Sequence, residues 1–441
     1  MAIWHNNTAK VGARIIVQPV VRTSVYKELF PLDIRFLTPD DFPQLAKNIV
    51  ASFPSKITAE VVEGFRSELD RPSMGRFLGA FDDDGTLIGS IMLMGFEQNV
   101  RGVMMPMGGV SFVSTNFMHK HEKTAFMLLK VGLSYFAETR TPVSALHPFN
   151  PAFYGQMGYG YCNENIMYMP KPCYIRNFGD KSGLSYATED DKNEILAFYR
   201  RYASRTNGAT VHNYMDNWRI FGKPYLIVCK KDGRITGYMT YEFVPVERYT
   251  DMYHDLLVHE MIYEDLDTLR QFMTFFASQT DQIERVRIFS TDETLHMMFT
   301  NPDSGENLAH DGGIHEIGRR TMGSLFRILD VGGYFRWQTQ CCGQTSRIFT
   351  LALDVSDPFI LRNNGTYSLG VTGCAVTLRD GGEPDVRMST DIATLSSIVI
   401  GAYPVADAVE KGLVTVSDAS YIPDIQRAIG WDKKPVNVCY F

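Results

Sequence analysis

The order of elements read along this chain restarts after ~150 residues, and a restart of that length marks a duplicated domain, not a solenoid repeat. The first copy opens with LDIRFLTPDDFPQLAKNIVASF. This stretch reads as a short alternating strand, a helix start at Thr38-Pro39-Asp40-Asp41, and an amphipathic helix with Phe42, Leu45, Ile49, Val50 and Phe53 inward. Thr38 suits the cap, Pro39 the first turn, and the two aspartates the positive end of the helix dipole. A second helix covers Thr58–Leu69, and two strands joined at Asp83-Asp84-Gly85 follow. The third strand, in GGVSFVST, runs through a loop into a long helix. VSALHP is then a buried strand, FNPAFYGQMGYG holds a helical turn, and YCNENIMYMP is a last strand. The predicted order is β-α-α-β-β-β-α-β-α-β.

GLSYATEDDKNEILAFYRRYASRTNG repeats the strand, acidic cap and helix, and paired strands recur around Lys231-Asp232-Gly233. The second copy has no counterpart of the Met118–Lys123 loop; its third strand passes through Glu264-Asp265 directly into a helix. From about Arg320 the pattern changes to a third, α+β domain. TMGSLFRILDVGGYFRWQ reads as a strand and short helix, antiparallel strands follow, and two helices divide near Pro404. WDKKPVNVCYF closes as an apolar strand with Val436, Val438 and Tyr440 on one face. The expected division is an arm over 1–31, domains over 32–178 and 179–319, and a third over 320–441. Within the arm, the β-rich patch Ala13–Val21 suits either an edge strand or an ordered arm.

Composition narrows the function. Among 441 residues, 43 basic against 50 acidic side chains leave −7. That balance argues against a general nucleic-acid binder, which needs concentrated positive charge. No run approaches the ~18–20 apolar residues of a membrane span, and the N-terminus lacks the pattern of a secretory signal. Seven scattered cysteines are expected to be free thiols in a reducing cytoplasm. The adjacent Cys341 and Cys342 read as buried small apolar residues.

Two stretches carry chemistry. The third strand, through Val113, Ser114 and Thr115, opens into a loop that ends at a helix start near Lys120–Ala125. Backbone N–H groups and the helix dipole there suit a pyrophosphate, although strand–loop–helix turns are common. In ALHPFNPAFYGQMGYGY, Tyr154 on a helical turn reads either as a packing residue or as an acid for a departing thiolate. His119 and His121 diverge on a helix, and no metal site is expected.

These residues together carry a resemblance. GGVSFVSTNFMHKHEKTAFML resembles the acetyl-CoA strand and loop of the Eis (enhanced intracellular survival) type of GNAT N-acetyltransferase. VSALHPFNPAFYGQMGYGY resembles the stretch holding that family's catalytic Tyr, which falls on Tyr154, and the sequence ends on an aromatic residue, Phe441, as the family's does. The resemblance covers roughly residues 32–441. It implies an α/β and α+β fold of two tandem GNAT domains, the second degenerate, and a sterol-carrier-protein-like domain. It further implies acetyl-CoA as co-substrate, a small-molecule or peptide amine as acceptor, and a homo-oligomer, with hexamers among the family's states. The donor would contact Val113, Ser114, Thr115, Lys120, His121, Lys123 and Thr124; Tyr154 and the carboxylate of Phe441 would be catalytic. The rival reading is a non-catalytic, ligand-binding GNAT scaffold with a worn loop. Where the family has Arg-Arg-x-Gly, this chain has Lys120-His121-Glu122-Lys123, so Lys123 stands at the Gly.

Overall fold

The computed structural model describes residues 32–54, 57, 59–246, 252–304, 308–310 and 313–441. The expected arm over 1–31, including the Ala13–Val21 patch, lies outside the described residues. The first domain is built on β1 (Asp33–Phe36), β2 (Arg76–Phe81), β3 (Leu87–Val100), β4 (Val103–Thr115), β5 (Val143–Leu146) and β6 (Gly160–Tyr161). β1 to β4 are antiparallel neighbours, and β4 pairs parallel with β5. Helices α1 (Phe42–Ser52) and α2 (Ala59–Asp70) precede β2, α3 (Thr124–Glu138) follows β4, and α4 (Pro151–Gly155) follows β5. The Thr38 backbone N–H donates to Asp41 Oδ2 at 2.8 Å, and Thr188 repeats that bond with Asp191 at 3.0 Å. One cap chemistry therefore starts the first helix of both copies.

Two strands exchange places relative to the sequence reading. Glu164–Tyr168, expected to close the first domain, pairs with Ile283–Ser290 and Arg319–Met322 in the second sheet. Leu325–Ile328, expected to open the third domain, inserts between β5 and β6 of the first sheet. All four residues of the inserted strand are buried, including Arg327, which donates to the Met157 carbonyl and to Asp357 Oδ2 at 2.6 Å. A Cβ on Gly158, whose φ is +78°, would overlap the Arg327 guanidinium. The strand thus goes where its cation finds partners, a tertiary demand that periodicity does not carry. Asp357 also accepts the N–H groups of Phe359 and Ile360. Replacing Asp357 with Leu leaves Arg327 buried and unpaired, and is expected to cost about 3 kcal/mol or more of unfolding free energy in urea titration.

The second sheet continues from Ile283–Ser290 through His254–Tyr263, Arg234–Pro245 and Tyr225–Lys231 to Leu184–Tyr186. The third domain's sheet runs Ala375–Arg379, Gly365–Thr372, Phe349–Ser356, Val386–Asp391, Val414–Val416. Its helix Ile392–Ile400 packs beneath the first sheet, so Leu45, Ile49, Phe77 and Met94 share one core with Leu395, Ile398 and Ile429. Arg101, at the β3–β4 turn, reaches into the third domain and donates to the carbonyls of Ile429 (3.0 Å), Ala428 (2.8 Å) and Gln340 (2.8 Å). The first two carbonyls end the helix Ile422–Ile429, where a cation complements the dipole.

Residues 435–441 join no sheet. Their buried side is Pro435, Asn437 and Cys439, the reverse of the expected apolar face. Hydrogen bonds decide it. Asn163 donates to the Asn437 carbonyl (3.4 Å), Asn437 Nδ2 to Ser324 Oγ (3.3 Å), and the Val436 N–H to the Asn207 carbonyl (2.7 Å). Among the described residues, no helix is long and apolar enough to cross a membrane.

Candidate active site

β4 and β5 are paired only from Met107–Gly109 against Val143–Ala145; β4 runs on to Thr115 while β5 ends at Leu146. An opening therefore forms beside the second half of β4. The ladder to β3 shifts between Ser90 and Met92, placing an extra residue on β4 near Phe112 and Val113. Phe112 has φ +45°, uncommon for a bulky residue, and its ring packs edge-on against Phe65 (4.8 Å) and Phe53 (6.0 Å). A bulge of this kind frees a backbone group from the ladder and re-aims it. Ser114 is buried and its hydroxyl is shared with Ser90 at 2.8 Å. Of the strand residues singled out, Ser114 therefore offers backbone and not its side chain.

The loop after β4 is held locally. Asn116 Oδ1 accepts from the Met118 N–H (3.1 Å), His119 Nδ1 lies 2.9 Å from Glu122 Oε2, and the Lys120 ammonium sits over the Phe117 ring. Glu122, a carboxylate beside a prospective anion, is thus engaged by His119. Lys120, His121 and Lys123 are exposed. His121 and Lys123 both have left-handed backbone, with φ +68° and +61°. Lys123 occupies the residue before α3, whose first N–H groups have no intrahelical partner. Thr124 opens the helix; it is buried, and its hydroxyl has no hydrogen-bond partner among the described residues. A fifteen-residue helix with an orphaned hydroxyl and open N–H groups at its start suits a phosphate.

Tyr154 sits on α4, whose start is capped by Asn150 Oδ1 accepting from the Phe153 N–H. It is buried with Val110, Leu146, Met157 and Tyr159, edge-on to Phe153 at 5.1 Å. Its hydroxyl makes no hydrogen bond among the described residues, and burial pushes its pKa up to about 12. Phe441 lies on the other side of β4. Its ring is 4.4 Å from the Phe96 ring, and a Cβ on Gly109 would fall 2.6 Å from Phe96 and 3.0 Å from Phe441. Only a glycine leaves room there. Phe441 therefore packs at Gly109 on one face of β4, while Tyr154 belongs to the core on the other face, the one that Val110 joins.

Two histidines that the sequence reading did not single out pack beside Phe441 and Phe96. His147 follows β5, and its Nε2 donates to the Cys439 carbonyl at 2.9 Å, with the ring 4.6 Å from Tyr440 and 5.4 Å from Phe441. Burial pulls its pKa down to about 4 despite that bond, so the ring is neutral. His212 Nδ1 accepts the Met215 N–H (3.2 Å) and its ring lies 4.8 Å from Phe96. The one available signal for His147 was a histidine closing an apolar strand, VSALHP, which packing explains equally well.

The comparisons with known proteins agree with this architecture. Residues 33–162 and 202–328 each match an acetyltransferase (GNAT) domain, and 338–438 match a sterol carrier protein domain. No relative is found among curated protein sequences. Several solved structures share the fold at low identity. A conserved protein from Enterococcus faecalis V583 superposes with a TM-score of 0.78 at 17% identity, covering 93% of this chain and 99% of that one. A GCN5-related N-acetyltransferase from Anabaena variabilis gives 0.78 at 16%, covering 93% and 100%. Eis1 from Mycobacterium abscessus gives 0.72 at 17%, again covering 93% and 100%. The chain thus carries two acetyltransferase (GNAT) domains followed by a sterol carrier protein domain, on a fold it shares with Eis1 from Mycobacterium abscessus.

Proposed function

We propose that the first domain transfers the acetyl group of acetyl-CoA to a primary amine by direct attack on the thioester. The observation that carries this reading is the opening beside β4, with an anion-suited helix start at one end and Tyr154 and Phe441 on its two sides. The pyrophosphate would meet the N–H groups of Thr124 and its neighbours, the Thr124 hydroxyl, and the charges of Lys120 and Lys123, with His121 beside them. The pantetheine arm would lie along Val113, Ser114 and Thr115, using strand-edge backbone groups. The amine nitrogen attacks the carbonyl carbon, and the backbone N–H freed near Val113 stabilises the oxyanion. The C–S bond then breaks, and the thiolate takes the Tyr154 proton. Where Phe441 bears a free α-carboxylate, that group takes the proton lost by the amine.

The test is turnover. Purified protein is incubated with acetyl-CoA and a panel of primary amines, free thiol is followed, and products are identified by mass. Acetylated amine supports the reading. No thiol release above hydrolysis, together with no acetyl-CoA binding by calorimetry, overturns it.

Lys123 gives a sharper expectation. Its left-handed backbone costs of order 1 kcal/mol that a glycine would not incur. Part of the free loop population then leaves the binding conformation, which weakens apparent affinity. Lys123→Gly is expected to tighten acetyl-CoA a few-fold by calorimetry. Looser binding would instead make Lys123 a phosphate ligand in its own right.

A further inference from the structure

The third domain brings two cysteines together through their backbones and into the lining of one cleft, away from the site described above. Gln340 bridges Ala375 in antiparallel fashion, the Val376 N–H donates to the Thr339 carbonyl (2.9 Å), and the Cys341 N–H donates to the Cys374 carbonyl (2.8 Å). Bonds on both sides of that bridge make Cys341 and Cys374 the next facing pair. Facing residues of such a ladder have Cα atoms about 5.5 Å apart and project their side chains to the same side. A disulfide requires roughly 4.4–6.8 Å. Both cysteines line one cleft of about 560 Å³, together with Thr339, Gln340, Thr372 and Ala375. Cys342 turns away, its Sγ 3.9 Å from the Gln426 carbonyl and 3.9 Å from Asp432 Oδ2. Cys374 is exposed and Cys341 half-exposed, so the expectation that Cys341 and Cys342 are buried filler does not hold. Cys374 is therefore open to solvent, while Cys341 is reached from the cleft and is partly covered by the core it packs against.

We propose that Cys341 and Cys374 form a dithiol site that a peroxide converts to an intramolecular disulfide. The exposed Cys374 thiolate attacks a peroxide oxygen, the O–O bond breaks, and sulfenic acid forms on Cys374 as hydroxide leaves with a solvent proton. Cys341 sulfur then attacks Cys374 sulfur, the S–O bond breaks, and the departing hydroxide leaves as water with the Cys341 proton. Two thiols and one hydrogen peroxide give one disulfide and two waters, with two electrons passing from sulfur to peroxide. Burial pushes the Cys341 thiol up to about 11, which suits it to resolve the sulfenic acid and not to start the reaction. The pair adjoins Gln340, whose carbonyl accepts from Arg101. Closing the disulfide fixes that carbonyl to the turn at Cys374, and so stiffens the seam between the β3–β4 turn and the third domain.

The test treats the reduced full-length protein with hydrogen peroxide, digests it without reductant and sequences linked peptides by fragmentation mass spectrometry. A link between Cys341 and Cys374 is expected in the native chain and in Cys342→Ser, and is lost in Cys341→Ser and Cys374→Ser. The oxidised protein is expected to melt at a higher temperature, reversed by dithiothreitol, because closing a long segment restricts the unfolded chain. A link from Cys342 instead, or Cys374 oxidised to sulfinic acid with Cys341 still alkylatable, would overturn the site. A link that leaves backbone amide exchange at the Arg101 turn unchanged would overturn the stiffening.

Discussion

Replacing Tyr154 with Phe is expected to lower kcat for acetyl transfer ~10²–10⁴-fold, with thermal stability and acetyl-CoA affinity close to the native protein. The ring carries the packing against Met157 and Tyr159, and Phe keeps it. The hydroxyl has no partner among the described residues, so removing it strands no buried polar group. Its proton is the only thing lost. With the phenol held at about 12, donation to an ordinary thiolate, whose acid titrates at ~8.5, is uphill by ~5 kcal/mol. That gap narrows in place, because a thiolate formed in the same apolar surroundings is desolvated too and its own basicity rises. A phenol near 12 also stays protonated throughout the neutral range, ready to donate. Steady-state kinetics beside melting curves separate the two roles. An unchanged kcat would leave Tyr154 as a packing residue alone.

The sequence showed the duplication because its signals are local. The Thr38 and Thr188 caps, the Lys231-Asp232-Gly233 turn and the helix periodicities each act within a few residues. It misassigned Glu164–Tyr168 and Leu325–Ile328 because a strand's own pattern does not say which sheet edge receives it. The four buried residues of Leu325–Ile328, Arg327 among them, do not reveal in sequence which sheet takes them; the deciding ion pair is with Asp357, thirty positions on. The same limit applies around the site. Lys123 could be marked from the missing Gly, and its φ of +61° is what that substitution demands. His147 could not be marked, because its role depends on a carbonyl at Cys439. The inverted faces of 435–441 have the same origin: apolar alternation suggested a sheet, whereas Asn163, Asn207 and Ser324 supply polar partners to the other side.

Appending two or three small residues after Phe441 is expected to reduce acetyl transfer ~10²–10⁴-fold, the range for losing a positioned general base, with folding and acetyl-CoA binding intact. An amine with pKa ~10 must shed a proton before or during attack, and Tyr154, its phenol pushed up to about 12, is protonated at neutral pH and cannot accept it. His147 is neutral, but its pKa near 4 makes it no stronger a base than a carboxylate. The Phe441 ring is fixed against Gly109 and Phe96, and the chain leading to it is tethered at Val436, Asn437 and Cys439. Those tethers lie upstream of the added residues, so the extension should alter the carboxylate and not the path of the tail. A terminal carboxylate near its ordinary ~3.3–3.7 is a poor base; apolar neighbours such as Phe96 would have to raise it, or a water relay the proton. Either route requires a free carboxylate at Phe441, and converting it to a peptide bond removes it. Calorimetry with acetyl-CoA confirms an intact donor site in the extended protein, and thiol release reads the chemistry. Full activity after extension would take the proton-accepting role away from Phe441. Loss of acetyl-CoA binding as well would mean that the added residues had entered the donor opening, and a single appended glycine would then decide between obstruction and a missing base.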